Sequence, residues 1–215
     1  PHRYPQGGER QLIQAVLGWE LGAGVLPAQA GVLVSNVATA AAMADALQGH
    51  PLTHRIVTVS GKVGRPGNYG VPVGTLLADL LAHAGGALPE SERDVLVSGG
   101  PMTGRLIQRG PSGPAGEEVV LKTTGGLLAL AREDGEEHPC IRCGGCARVC
   151  PSRLMPFVID AAAIAGDSET CVRYHADQCI ACGCCSYICP AYRRLAARVS
   201  MAREGIRARA RRASS

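Results

Sequence analysis

The chain has 215 residues, 46% of them hydrophobic, and a formal net charge of +4, which is enough for one large domain or two to three small ones. One Trp, one Phe and five Tyr leave the cores to Ala, Val, Leu and Ile, and 28 Gly with 14 Pro exclude a fold of many long helices. The basic excess is local: eight Arg face one Glu after Tyr192, while residues 1–192 hold 14 basic and 17 acidic side chains, so no nucleic-acid partner is expected.

In chain order, an apolar-periodic run from Leu12 to Leu21 predicts a first helix with Leu12, Ala15, Val16 and Trp19 on one face. Ser35-Asn36 introduces a second helix over Ala38–Leu47, stopped by Gly49. Leu21 to Ala44 is the longest uncharged stretch, but Pro27, Gln29, Ser35, Asn36, Thr39 and its many Ala and Gly residues disqualify it as a spanning helix. Any membrane association is therefore expected to be peripheral. No apolar signal region follows Pro1–Arg10, and a start at Pro rather than Met reads as a fragment or a processed chain.

A β-rich stretch follows. Ile56, Val57 and Val59 predict a strand, Arg65-Pro-Gly-Asn68 a turn, and Tyr69–Val73 a second strand. Thr75 is the expected N-cap of a helix over Leu76–Ala84, ended by Gly85-Gly86. Strands are expected at Val95–Val97 and Val119–Leu121, separated by the Gly- and Pro-rich segment from Gly99 to Gly116. The pattern predicts an α+β unit with one helix across a sheet face. Arg132 to His138 is polar and marks a boundary. Beyond it a helix is expected over Leu154–Ala165, and an Arg-rich helix from Arg193 onward.

All ten cysteines lie between Cys140 and Cys189, a clustering that points to metal rather than to disulfides. Cys140-Ile-Arg-Cys143-Gly-Gly-Cys146-Ala-Arg-Val-Cys150-Pro151 has the spacing C-x2-C-x2-C-x3-C-P, and Cys179-Ile-Ala-Cys182-Gly-Cys-Cys185-Ser-Tyr-Ile-Cys189-Pro190 repeats it. This is the bacterial ferredoxin run, in which three cysteines hold one cluster and the fourth holds the other. Two four-iron, four-sulfur clusters are thus expected, one on Cys140, Cys143, Cys146 and Cys189, the other on Cys179, Cys182, Cys185 and Cys150. Glycines 144, 145 and 183 let backbone N–H groups approach the sulfurs. Arg142, Arg148, Arg153 and Arg173 are near enough in sequence to offset cluster charge. The competing reading is structural zinc, which usually pairs two C-x2-C knuckles instead; haem attachment is excluded because no C-x-x-C precedes a His. Cys171 and Cys184 are expected to be small packed thiols outside the ligand sets. The lone His50, His54 and His83 read as surface or capping residues.

Other phrases carry a family resemblance: Tyr4-Pro-Gln-Gly-Gly-Glu-Arg-Gln-Leu-Ile13, Gly31-Val-Leu-Val-Ser-Asn-Val-Ala-Thr39, Pro66-Gly-Asn-Tyr69, Val71-Pro-Val-Gly-Thr75 and Gly99-Gly-Pro-Met-Thr-Gly104. With the cysteine runs in register, the chain resembles the C subunit of the Rnf (or Rsx) electron transport complex, itself similar to the flavin-bearing subunit of respiratory complex I. The resemblance implies an α+β multidomain chain. Residues 1–50 would be the last part of a flavin/NADH domain and 51–131 a soluble-ligand-binding β-grasp (SLBB-like) domain. Residues 132–192 would be an α-helical, ferredoxin-like two-cluster domain, followed by the basic tail over 193–215. It also implies FMN and NADH as ligands of the whole protein, with Gly7, Gly8, Glu9, Asn36 and Thr39 lining the flavin site; the alternative is that these are turn and cap residues. The phosphate-cradling flavin loop would lie before Pro1, so this stretch alone is not expected to oxidise NADH. Lys122-Thr-Thr-Gly-Gly126 departs from the family pattern, which has Asn-Cys where Gly-Gly stands here. The implied partners are membrane subunits, with ferredoxin or NADH as redox partner, on the cytoplasmic side of the bacterial plasma membrane; the basic tail would contact a membrane subunit or anionic lipid. The rival functions are a corrin reductase with flavin, β-grasp and paired-cluster parts, and a stand-alone iron–sulfur carrier.

Overall fold

The computed structural model describes residues 3–22, 24–86, 95–108, 117–131 and 135–213. In chain order they form α1 (Glu9–Leu17), α2 (Val37–Leu47), β1 (His54–Gly61), β2 (Gly67–Pro72), α3 (Leu77–His83), β3 (Val95–Ser98), β4 (Arg105–Ile107) and β5 (Gly126–Leu130). The helices α4 (Gly145–Arg148), α5 (Pro156–Ile164), α6 (Ser168–Arg173), α7 (Cys184–Tyr187) and α8 (Leu195–Ala213) follow. The chain packs as two compact units, one spanning Asn36–Asp134 and the other built from Pro1–Ser35 with Gly135–Ser215.

The Asn36–Asp134 unit is a mixed five-stranded sheet in the order β2-β1-β5-β3-β4. β1 pairs antiparallel with β2 and parallel with β5, and β3 pairs antiparallel with both β5 and β4. Alternation along β1 buries Val57 and Val59, and with Val71, Leu96, Ile107 and Leu127 they meet the Leu77, Leu80 and Leu81 stripe of α3 in one core. Gly61 is required where β1 ends: its φ is +90°, and a Cβ there would overlap the Ala129 carbonyl of β5. The helix α2 starts as expected, with the Asn36 side chain accepting from the Ala38 N–H at 2.9 Å, and none of its side chains is buried.

Several expectations change. Thr75 does not cap α3, whose N-cap is Leu76 with no side-chain hydrogen bond. The Thr75 carbonyl instead accepts from Val120 N–H at 2.7 Å. The strand expected at Val119–Leu121 reduces to a single bridge, Leu76 to Val119. β4 falls inside the segment read as a connection, and β5 has no counterpart among the expected strands; positions 109–116 of that connection and 132–134 of the polar boundary lie outside the described residues.

In the second unit, Gly18 ends α1 in the left-handed conformation, short of the expected Leu21. Its buried residue is Ile13, while Val16 and Trp19 of the expected face are exposed. Arg10 fastens the chain that follows, donating to the carbonyls of Leu21, Gly22 and Val25 at 2.7–3.1 Å. The helix expected over Leu154–Ala165 is α5, and α6 extends that region. Leu195 and Val199 of α8 are buried, and Val199 packs with Leu154, Ile159, Ala162 and Cys171. The apolar stripe of the Arg-rich tail is therefore part of the core of this unit.

Candidate metal centre

The two cysteine runs are offset by 39 residues, and the backbone repeats with them. Arg142 (φ 56°), Gly144 (φ 70°) and Arg153 (φ 52°) in the first run are left-handed, as are Ala181 (φ 54°), Gly183 (φ 82°) and Tyr192 (φ 51°) at the same offsets in the second. The short helices α4 and α7 and the longer α5 and α8 also start 39 residues apart. A left-handed conformation costs a non-glycine residue of order 1–3 kcal/mol, so four such residues at matched positions mark a geometry that packing enforces. Its consequence is directional. The Arg142 N–H donates to Cys140 Sγ at 3.4 Å, Ala181 N–H to Cys179 Sγ at 3.3 Å, and Leu154 N–H to Cys150 Sγ at 3.4 Å.

Cys150, Cys179, Cys182 and Cys185 line one cavity, closed by Leu154, Pro156 and Val199. Cys150 comes from the first run and the other three from the second. Burial pushes the Cys185 thiol up to about 12, with Cys179 as the next cause. Cys179 is likewise raised by burial, against which the Ala181 N–H and then the Arg203 charge act. Cys184 lines the same cavity, and its thiol is raised to about 11 by burial and by its contact with Cys182. The repeat explains its place: position 184 corresponds to Gly145, where a Cβ would lie 3.6 Å from Cys143 Sγ. In the first run Cys146 is buried and Cys140 and Cys143 are exposed. Burial raises the Cys146 thiol, opposed by N–H groups of Phe157 and Ala147. Cys189 is half-buried after α7, which packs on α4. Cys171 is buried in the helical core with its thiol 3.9 Å from the Ile159 carbonyl.

Among the described residues no three Cys, His, Asp or Glu side chains converge on a point that one metal ion would occupy. A four-iron cubane takes its thiolates at four different irons. The donor chemistry here, cysteine sulfur met by peptide N–H groups on tight left-handed turns, fits such a cluster.

Of the arginines expected to offset cluster charge, Arg148 donates to the Cys143 carbonyl at 3.0 Å. Further guanidiniums beside the runs come from the tail, where sequence reasoning did not place them. Arg203 donates to the Cys179 carbonyl at 2.9 Å. Asp160 of α5 accepts from Arg193 at 2.8 and 2.5 Å and from Arg198 at 2.9 Å. Arg198 also forks onto Glu137 at 2.6 and 2.7 Å. This network ties the segment before the first run, the helix between the runs and the helix after the second. Tyr4 donates to the Cys182 carbonyl at 2.6 Å, so the N-terminal segment touches the second run. Of the flavin-site candidates, Gly7, Gly8 and Glu9 lead into α1, with Gly8 as N-cap. Asn36 and Thr39 begin α2 in the other compact unit.

Residues 1–45 match the Nuo51 FMN-binding domain family and residues 56–106 the SLBB domain family. The chain is 44% identical over 174 residues to the C subunit of the ion-translocating oxidoreductase complex of Rhodobacter capsulatus, a match covering 79% of this chain and 32% of the relative. It is 40% identical over 181 residues to the C subunit of the same complex in Pseudomonas aeruginosa, covering 81% and 22%. It is 38% identical over 164 residues to the C subunit of the proton-translocating ferredoxin:NAD(+) oxidoreductase complex of Clostridium ljungdahlii, covering 74% and 34%. The chain spans about a third or less of the length of these relatives.

Proposed function

Because this chain belongs to the C-subunit family of ion-translocating oxidoreductase complexes, the RnfC family, we propose that it is the electron-relaying part of such a protein. Cys140, Cys143, Cys146 and Cys189 would hold one four-iron, four-sulfur cluster, and Cys179, Cys182, Cys185 and Cys150 the other. When bound, each cluster supplies a one-electron carrier. The chain's own residues make the site. Left-handed turns aim N–H groups at the ligand sulfurs and spread their negative charge. Leu154, Pro156 and Val199 keep water from the second set, and the Asp160 network holds the two runs at fixed separation. No side chain here is given acid–base work.

The observation that carries this reading is the 39-residue repeat of backbone and sulfur, with a cysteine of the first run sharing a cavity with three of the second. In the whole protein, FMN and NADH would sit on the flavin domain to which residues 1–45 are similar, with Gly7, Gly8, Glu9, Asn36 and Thr39 as candidate lining. The partners would be membrane subunits and ferredoxin or NADH, with the chain on the cytoplasmic side of the bacterial plasma membrane and redox chemistry coupled to ion translocation. Among the described residues no helix is long and apolar enough to cross a membrane. Anaerobic purification tests the centre: a brown protein with broad absorbance near ~400 nm and about eight irons per chain supports it. A colourless protein with stoichiometric zinc would refute it.

A further inference from the structure

The ligand frame is repeated, but the charge placed on it is not. In the first run the guanidinium on a ligand-cysteine carbonyl is local: Arg148 lies on α4, five residues after Cys143, and is exposed. The equivalent position of the second run, 39 residues on, is Tyr187, so no such arginine is available there. The second run receives its guanidinium from the tail helix instead. Arg203 on α8 reaches back to the Cys179 carbonyl at 2.9 Å, and its side chain is only 18% exposed. Its own counterpart in the first run is Ile164, which carries no charge. The Arg203 Nε is buried and has no hydrogen-bond partner among the described residues. The sole acid within ion-pair range in the described residues is Glu204, 3.6 Å away and 72% exposed. Arg203 thus keeps a mostly desolvated, weakly neutralised positive charge beside one ligand set.

We infer that Arg203 is the positioning residue that sets the reduction potential of the cluster held by Cys179, Cys182, Cys185 and Cys150, raising it by more than Arg148 raises that of the other cluster. The inference rests on the two-cluster reading above. The physical reason is the sign and the medium. A cubane with four thiolates is anionic and gains one further negative charge on reduction, so a fixed cation favours the reduced form. The same cation acts more strongly at low dielectric than in water. An opposite charge within ~4–6 Å commonly shifts a charge equilibrium by ten- to a thousandfold. For a guanidinium that retains some solvent contact the lower figure applies. Arg148, facing water, has a smaller effect.

The test is an anaerobic redox titration of the full chain against dye mediators, followed by the electron spin resonance of each reduced cluster, with iron content measured in parallel. Two one-electron midpoints and about eight irons in the wild type establish the clusters independently, so their absence would count against the two-cluster reading and not against the role of Arg203. Arg203→Gln is expected to lower one midpoint by about tenfold in the reduction equilibrium constant, ~59 mV for a one-electron couple, and to leave the other in place. Arg203→Lys, which keeps the charge, is expected to restore most of that loss. Arg148→Gln should move the other midpoint, and by less. Glu204→Gln, an exposed change that does not touch the core, should move the Arg203-sensitive midpoint upward and serves if Arg203→Gln loses iron. A shift of less than twofold in both Arg203→Gln and Glu204→Gln overturns the inference. So does a lysine variant that shifts as far as the glutamine one, because the effect would then come from hydrogen-bond geometry and not from charge. Movement of the same midpoint by Arg148→Gln and Arg203→Gln also overturns it.

Discussion

Asp160 joins the helix between the two runs to the segment that follows the second. Its side chain is 2% exposed and its carboxylate takes three hydrogen bonds, two from Arg193 and one from Arg198. Asp160→Asn keeps the volume and removes the charge, leaving two partly buried guanidiniums facing a neutral amide. Removing one partner of a buried ion pair costs about 3–5 kcal/mol. Arg198 keeps its fork on Glu137 and Arg193 keeps the His138 carbonyl, so about 2–3 kcal/mol is expected here. With a urea dependence of roughly 2 kcal/mol per molar, the unfolding midpoint should fall by about 1 M. Trp19 is the sole tryptophan and lies in the same compact unit as both runs, so its fluorescence follows that unit alone. A midpoint within about 0.2 M of wild type would show that the network is not what holds the unit together. Glu137 supplies the pH arm of the experiment. The hydrogen bond from Arg198, opposed by burial and aided by the Arg198 and Arg193 charges, holds its carboxyl below the usual range. A depressed carboxylate stabilises the fold above its unfolded value, near ~4.3, and the contribution disappears as pH falls through the folded value. The difference between wild type and Glu137→Gln should therefore be constant from neutral pH down to about 5 and close below about 4.

Cys150→Ala is expected to disturb the cluster of the second run although it lies in the first, while Cys171→Ala keeps iron content near wild type; iron analysis with electron spin resonance reads both, and loss of iron in Cys171→Ala would break the ligand assignment. Gly61→Ala should destabilise the sheet unit by about 3 kcal/mol, from a left-handed φ and overlap with the Ala129 carbonyl. That loss should appear in far-ultraviolet circular dichroism with the Trp19 transition unmoved; a shared shift would show that the two units unfold together. Replacing the exposed Arg194, Arg209 and Arg212 with Gln should weaken co-sedimentation with anionic vesicles roughly a hundredfold, at about 1 kcal/mol per charge. Vesicle binding that ignores both salt and this triple change would remove α8 as a lipid contact.

The parts of the structure legible in the sequence are those fixed by local chemistry. Asn36 announces α2 because a capping side chain needs only the N–H two residues on. Gly85-Gly86 ends α3 because left-handed backbone is open to glycine. The two matched cysteine loops are legible because their spacing repeats without a slip, and the left-handed turns repeat with it. What failed was set by distant neighbours. Gly126-Leu-Leu-Ala-Leu130 lacks the alternation of a half-exposed strand because β5 is central, paired with β1 and β3 and buried over most of its length. Thr75 is a good cap by type, yet its backbone is already engaged with Val120 in an extended pairing. The side chain buried on α1 is Ile13, which is not on the periodic face of Leu12, Ala15, Val16 and Trp19, because burial there is set by what packs on the helix.

The tail shows why charge counting misleads at a site of this kind. Leu195, Val199, Ala202 and Ile206 follow one helical stripe, and that stripe is core. Arginines at 198, 203 and 207 flank it, and their partners are a carboxylate on another helix and the carbonyls of Cys179 and Asp177. Backbone carbonyls carry no signature in sequence, so eight arginines against one glutamate read as surplus. In the folded unit Arg193, Arg198, Arg203 and Arg207 all have internal partners. Two of those partners are carbonyls of the segment that enters the second run. The second run, Cys179 to Pro190, has no charged side chain of its own. The guanidiniums beside it come from elsewhere in the chain, from α8. The tail's basic character is thus tied first to the second cysteine run and to Asp160, and only its exposed remainder, Arg194, Arg209 and Arg212 among it, is available to a surface outside the unit.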